Sequence, residues 1–205
     1  HHSQDISQQM DEIAMASEFR TLIRQELDVE DLLRTALEFL LVKTGPLNAA
    51  VFLPNADGEY ALGAYVNYDC PRESVGSLID HLGRWVCPIM ADEPDILAFD
   101  DPDELGGWIG ADIGELAECQ VVMLSCHHEG ECLAVAILFR QRDEPFDDAT
   151  GHMLDLLRPI FAEQIATVIR VHHRASPSWP DDAHGEDEFD FNEDYEDYGF
   201  GGLAA

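Results

Sequence analysis

Gln120 to Ile169 reads QVVMLSCHHEGECLAVAILFRQRDEPFDDATGHMLDLLRPIFAEQIATVI. Two β-rich runs, QVVMLSCH (120–127) and CLAVAILFR (132–140), flank His128-Glu129-Gly130-Glu131, so this stretch predicts a hairpin. Asp147 is placed to cap a closing helix whose apolar stripe runs from Met153 and Leu154 through Leu157, Ile160 and Phe161 to Ile165, Val168 and Ile169. Pro159 falls inside that helix and predicts a kink, or a break near Asp155.

Upstream, the pattern alternates between helix and strand. Residues 5–27 carry apolar positions at threes and fours (Ile6, Met10, Ile13, Phe19, Leu22, Ile23, Leu27), which is an amphipathic helix in need of a partner. Asp28 then caps a second helix carrying Leu32, Leu33, Ala36, Leu37, Leu40 and Leu41, and Thr44-Gly45-Pro46 stops it. Ala49 to Leu53 is a short apolar strand, Pro54 to Gly58 a turn, and Tyr60 to Tyr68 a strand with Tyr60, Leu62, Ala64, Val66 and Tyr68 on one face. The two should pair antiparallel. Ser74–Val86 returns to helical spacing, and after Pro88 the chain turns loop-like, with ten carboxylates between Asp92 and Glu118. Within that stretch Asp95–Asp100 suits a short strand, and Asp103–Leu116 a helix broken by glycines.

This order of elements, and above all the residues from Gln120 to Ile169, resembles a GAF domain: an apolar strand, a polar turn with glycine, a strand of small and branched residues, a phrase like EPFDD, and a helix ending near alanine and isoleucine. The resemblance covers Asp28 to Arg170. It implies an α+β fold, with an antiparallel sheet of five or six strands, helices on both faces, the N- and C-terminal helices packed together, and a pocket on the opposite face. In such relatives the terminal helices commonly dimerise and the pocket takes small molecules. The domain plan that follows is an N-terminal amphipathic helix (1–27), a GAF-like domain (28–174) and an acidic tail (175–205). His1-His2 reads as the remnant of a purification tag and carries no metal argument.

Charge decides which partners are possible. Eleven Lys and Arg stand against 42 Asp and Glu, a formal net charge of −31. Such a field repels a phosphate backbone, so direct nucleic-acid binding is not expected, and attractive surfaces should be basic protein. No apolar run is long enough for a bilayer and no signal-like segment opens the chain, so the reading is a soluble cytoplasmic protein with no membrane partner. The five cysteines are scattered without a CxxC pair, which fits reduced, mostly buried thiols. Residues 175–205 hold no Lys or Arg, ten carboxylates between Asp181 and Asp197, and the aromatics Trp179, Phe189, Phe191, Tyr195, Tyr198 and Phe200. That composition suits a tail disordered until its charge and aromatic anchors meet a basic, partly apolar surface.

The remaining candidates are weaker. Tyr65, Asn67, Tyr68, His81, Arg84, Trp85 and Trp108 would line a small-molecule pocket, with Arg84 as counter-charge for an anion. Cys126, His127 and Cys132 have the residue types of a zinc site, but a two-residue turn at Glu129-Gly130 sets His127 opposite Cys132 and turns Cys126 to the other face; a three-residue loop would set Cys126 opposite Cys132 instead. No catalytic motif or cofactor signature is evident. The Asn-Lys-Phe-Asp phrase of cyclic-nucleotide-binding relatives is absent, which argues against that ligand. The expectation is a non-catalytic regulatory or adaptor protein, a homodimer acting by protein contact in signal transduction. The alternatives are a small-molecule sensor and a thiol-dependent enzyme of the sulfoxide-reductase kind.

Overall fold

The structure, a computed structural model, describes residues 2–175. The acidic stretch 176–205, with all six of its aromatics, lies outside the described residues. Five antiparallel strands form one sheet in the order β2-β1-β5-β4-β3. Its centre is the hairpin expected from the sequence, β4 (Cys119–His128) and β5 (Glu131–Gln141). Glu129 at φ 52° and Gly130 at φ 80° make the two-residue turn, whose left-handed pair matches the natural twist of the strands. A register shift between Cys126 and His127 leaves His127 opposite Cys132 and Cys126 opposite Ala134. Cys126 therefore packs with one core and Cys132 with the other.

β1 (Asn48–Pro54) pairs with β5 and with β2 (Tyr60–Val66). The even alternation expected through Tyr60–Tyr68 does not hold. The register slips between Val51 and Phe52 with Gly63 as the extra residue, and one inserted residue exchanges the faces beyond it. Tyr60, Leu62 and Tyr65 share one face, while Ala64 and Val66 pack on the other.

Three helices cover that other face. α1 (His2–Arg24) starts and ends about three residues early, and its predicted stripe splits: Phe19 and Ile23 are buried, whereas Ile6, Met10 and Ile13 stand in solvent. α2 (Val29–Thr44) begins at Asp28, whose carboxylate accepts from the Glu30 amide at 2.7 Å. At its other end Arg140 of β5 donates to the carbonyls of Thr44 and Pro46, both at 2.9 Å, a cation at a helix C-terminus. α6 (Ala149–Ala175) starts with the Ala149 amide on the Asp147 carboxylate at 3.0 Å. It passes Pro159 without the expected break. Pro159 and Asp155 are both exposed, so the carbonyl freed by the missing N–H faces water, and the buried Leu154, Leu157 and Ile160 hold the helix across the gap.

The second face is covered by short elements: a 3₁₀ turn (Arg72–Val75), α3 (Gly76–His81), a π-helical turn (Leu82–Val86) and α4 (Cys87–Ala91), then, past the edge strand β3 (Leu97–Phe99), α5 (Pro102–Ile109) and a 3₁₀ turn (Gly114–Glu118). The helix expected to end before Pro88 continues to Ala91, running through the π turn, where the Cys87 amide bonds the Leu82 carbonyl, straight into α4. The helix expected over 103–116 stops at Gly110, at φ 71°, and resumes as the 3₁₀ turn.

Candidate functional site

In this sheet Phe52 of β1, Tyr65 of β2, Met123 of β4 and Ile137 of β5 point to the face under α3, α4 and α5. There they meet Ile79, Leu82, Val86, Cys87 and Met90 from the helical cover and Leu105 and Ile109 from α5, all buried. The face on which a small-molecule pocket was expected thus carries an apolar core of buried side chains.

Among the candidate pocket residues, Tyr65 and Trp108 both lie against this core. Tyr65 is buried and donates its hydroxyl to the Cys70 carbonyl at 2.7 Å. Tyr68 gives its amide to the side chain of Asn48 at 2.8 Å, and Asn67 is half-buried beside it in sequence. His81 bonds the Ile109 carbonyl through Nε2 at 2.7 Å, tying the end of α3 to the end of α5. Trp108 packs edge-on to Phe99 with centroids 6.1 Å apart. Arg84 and Trp85 lie on the π-helical turn and face outward, Trp85 being 60% exposed. A π turn is rare and recurs at functional sites. Here Gly83 makes the close approach, since a Cβ there would lie 3.0 Å from the Tyr60 carbonyl.

Burial disfavours the charged form of all five thiols. It pushes Cys119 up to about 11 and Cys126 up to about 12. Cys87 is pushed up further, and Cys70 and Cys132 are raised as well. Among the described residues no group of three His, Cys, Asp or Glu is arranged to hold a metal ion. His127 instead bonds the Ala91 carbonyl through Nε2 at 2.7 Å.

Some positioning residues have no local sequence signal. Ser125, fully buried, donates to the Glu93 carbonyl at 2.8 Å. Arg158 of α6 donates to the carbonyls of Pro94 and Ser125, at 2.7 and 3.3 Å. With His127 these side chains fasten the α4–β3 connection to the edge of the sheet, across more than thirty residues of sequence.

The opposite side presents different surfaces. A groove of about 770 Å³ lies between α1, the end of α2 and the loop after β5, with Lys43 and Arg140 among Asp11, Asp147 and Asp148. His152 of α6 reaches Glu12 of α1 at 2.8 Å. No helix among the described residues is long and apolar enough to cross a membrane.

No family model matches the sequence, and no curated protein matches it. Solved structures do. The GAF domain of a putative sensor histidine kinase from Pseudomonas syringae superposes with a TM-score of 0.60 at 9% identity, over 87% of this chain and 100% of that one. The GAF domain of a phosphoenolpyruvate-protein phosphotransferase from Coxiella burnetii gives 0.54 at 18% identity, over 81% and 96%. A free methionine-R-sulfoxide reductase from Neisseria meningitidis, solved with its substrate, gives 0.54 at 14%, over 77% and 89%. At these identities the agreement concerns the path of the backbone, and that path, five antiparallel strands with three long helices on one face and a broken helical cover on the other, is the GAF fold.

Proposed function

We propose that the chain is a non-catalytic regulatory module that dimerises through its terminal helices and engages a basic protein surface through residues 175–205. The observation that carries this reading is the bare stripe on α1. Ile6, Met10 and Ile13, at helical spacings of four and three, are 55, 65 and 69% exposed, while the same helix is anchored by Phe19 and Ile23. A contiguous apolar face on a helix of an otherwise highly charged molecule favours a protein contact. The packed face under α3 to α5 and the raised thiols weigh against the sensor and thiol-enzyme alternatives.

Sedimentation of the full chain should show a dimer, and Ile13→Glu should give a monomer with an unchanged circular-dichroism spectrum. Deleting residues 176–205 should leave the dimer intact and abolish retention of basic protein partners. A monomeric parent chain would refute the first half, and undiminished capture by the truncated chain the second.

Sensing of a small molecule is the second reading, favoured by the outward Trp85 and Arg84 on a π turn beside the helical cover. Its mark would be a metabolite retained in a native mass spectrum of the purified protein and lost in Trp85→Ala.

A further inference from the structure

On the terminal-helix side, between α6 and the sheet, lies a recess of about 70 Å³. Its floor is one row across three strands: Ala136 of β5, with Val51 of β1 and Leu124 of β4 on either side. Its walls are Ala36 and Leu37 of α2 and Leu154 and Leu157 of α6. Interiors are normally filled to crystal density, and here two alanines border the unfilled space.

The recess offers water nothing to bind. The guanidinium at its edge, that of Arg158, is already committed to the carbonyls of Ser125 and Pro94 and to the Asp155 carboxylate, the last at 2.7 Å. The one other heteroatom in the lining is the Cys126 thiol, which is buried and a weak donor. A recess with apolar walls and without two or more polar partners holds water poorly and accepts apolar guests; a closed cavity of roughly 150 Å³ takes benzene. At about half that size, this one suits a smaller guest. Its position adds a consequence. α6 crosses it where Pro159 has removed the hydrogen bond to the Asp155 carbonyl, so the helix is held there by packing more than by its own backbone.

We propose that the recess is a binding site for a small uncharged apolar molecule, of the size of xenon or a short alkane, whose occupancy seats the middle of α6 on the sheet. The site lies on the opposite face of the sheet from Tyr65, Met123 and Ile137 and is independent of that packed region.

The test uses the full chain with labelled methyl groups and xenon gas as the probe. Methyl signals of Leu124, Leu154 and Leu157 should shift saturably with xenon pressure, while those of Leu82 and Ile137 across the sheet stay still. Amide exchange between Leu154 and Phe161 should slow about threefold or more at saturation. Ala136→Val, which fills the floor, should lose the saturable shift while its Tm stays level or rises by a few degrees. Where Ala136→Val does not fold, Ala36→Val fills the space from the opposite wall and should read the same way. The proposal is overturned by a parent chain with no saturable shift, by unchanged amide exchange in α6, or by a folded filled variant that responds as the parent does.

Discussion

Asn48 is fully buried, and its amide is shared among five partners. Oδ1 accepts from three successive backbone amides, Tyr68, Asp69 and Cys70, at 2.8, 3.1 and 3.2 Å. Nδ2 donates to the Asp69 carboxylate at 2.7 Å and to the Phe139 carbonyl at 3.4 Å. A side-chain oxygen thus occupies the kind of backbone nest that elsewhere holds an anion, and it folds the loop after β2 against β5. Removing it strands buried donors, so Asn48→Ala should lower stability by about 3 kcal/mol in urea unfolding. Asn48→Asp should be no rescue, since it keeps the acceptor but sets a second carboxylate against Asp69. In the sequence Asn48 marks only the place where helical spacing gives way to a strand; its partners lie some twenty and ninety residues away. Asp28 and Asp147 are the contrasting case. Each caps a helix through an amide two residues on, and a local bond leaves a local signature.

Among the elements, the β4–β5 hairpin was legible to its turn, because two left-handed residues between two β-rich runs permit little else. The β1–β2 hairpin was legible as a pair but not in its faces. The bulge at Gly63 answers to α2, whose Leu33 would lie 3.2 Å from a Cβ at that position, with Leu53 at 3.1 Å. Gly63→Val should therefore force these leucines apart and cost about 1–3 kcal/mol, read as a lower thermal midpoint, with Gly63→Ala in between. If valine is accommodated at no cost, the contact with α2 does not set the bulge. The glycines of the 103–116 stretch did announce a break, and the helix stops at Gly110. Pro88 announced an end and Pro159 a kink or a break, yet both helices run on, one straight out of a π turn and the other with its proline on a solvent face. Which side of a helix a proline occupies is a tertiary fact.

At the scale of the whole molecule, the sheet divides two cores, and thiols sit in both: Cys126 under the terminal helices, Cys70, Cys87 and Cys119 on the other side. This gives a pH dependence with a definite sign. Well below pH 8.5 the thiols are protonated in folded and unfolded chains alike and make no difference to stability. Above it the unfolded chain releases protons that the fold retains, so stability falls until the folded values are reached, about 11 for Cys119 and about 12 for Cys126. Each such thiol costs about 1.4 kcal/mol per pH unit in that window. Urea midpoints, taken anaerobically, should change little between pH 7 and 7.5 and fall steadily from pH 8.5 to 10, with a shallower fall in Cys126→Ala. A midpoint that rises with pH would contradict the burial of these groups. The sequence alone determined the α+β class, the strand pairs, the helix caps and the intense negative charge, because period, turn chemistry and composition are local or additive properties. Only the tertiary structure decided that a second apolar core lies under α3 to α5, that Trp85 faces solvent, that half of α1 stands bare and that a small apolar recess lies beneath α6. Those outcomes depend on which distant side chains meet across the sheet, and on whether their volumes fill the space between them.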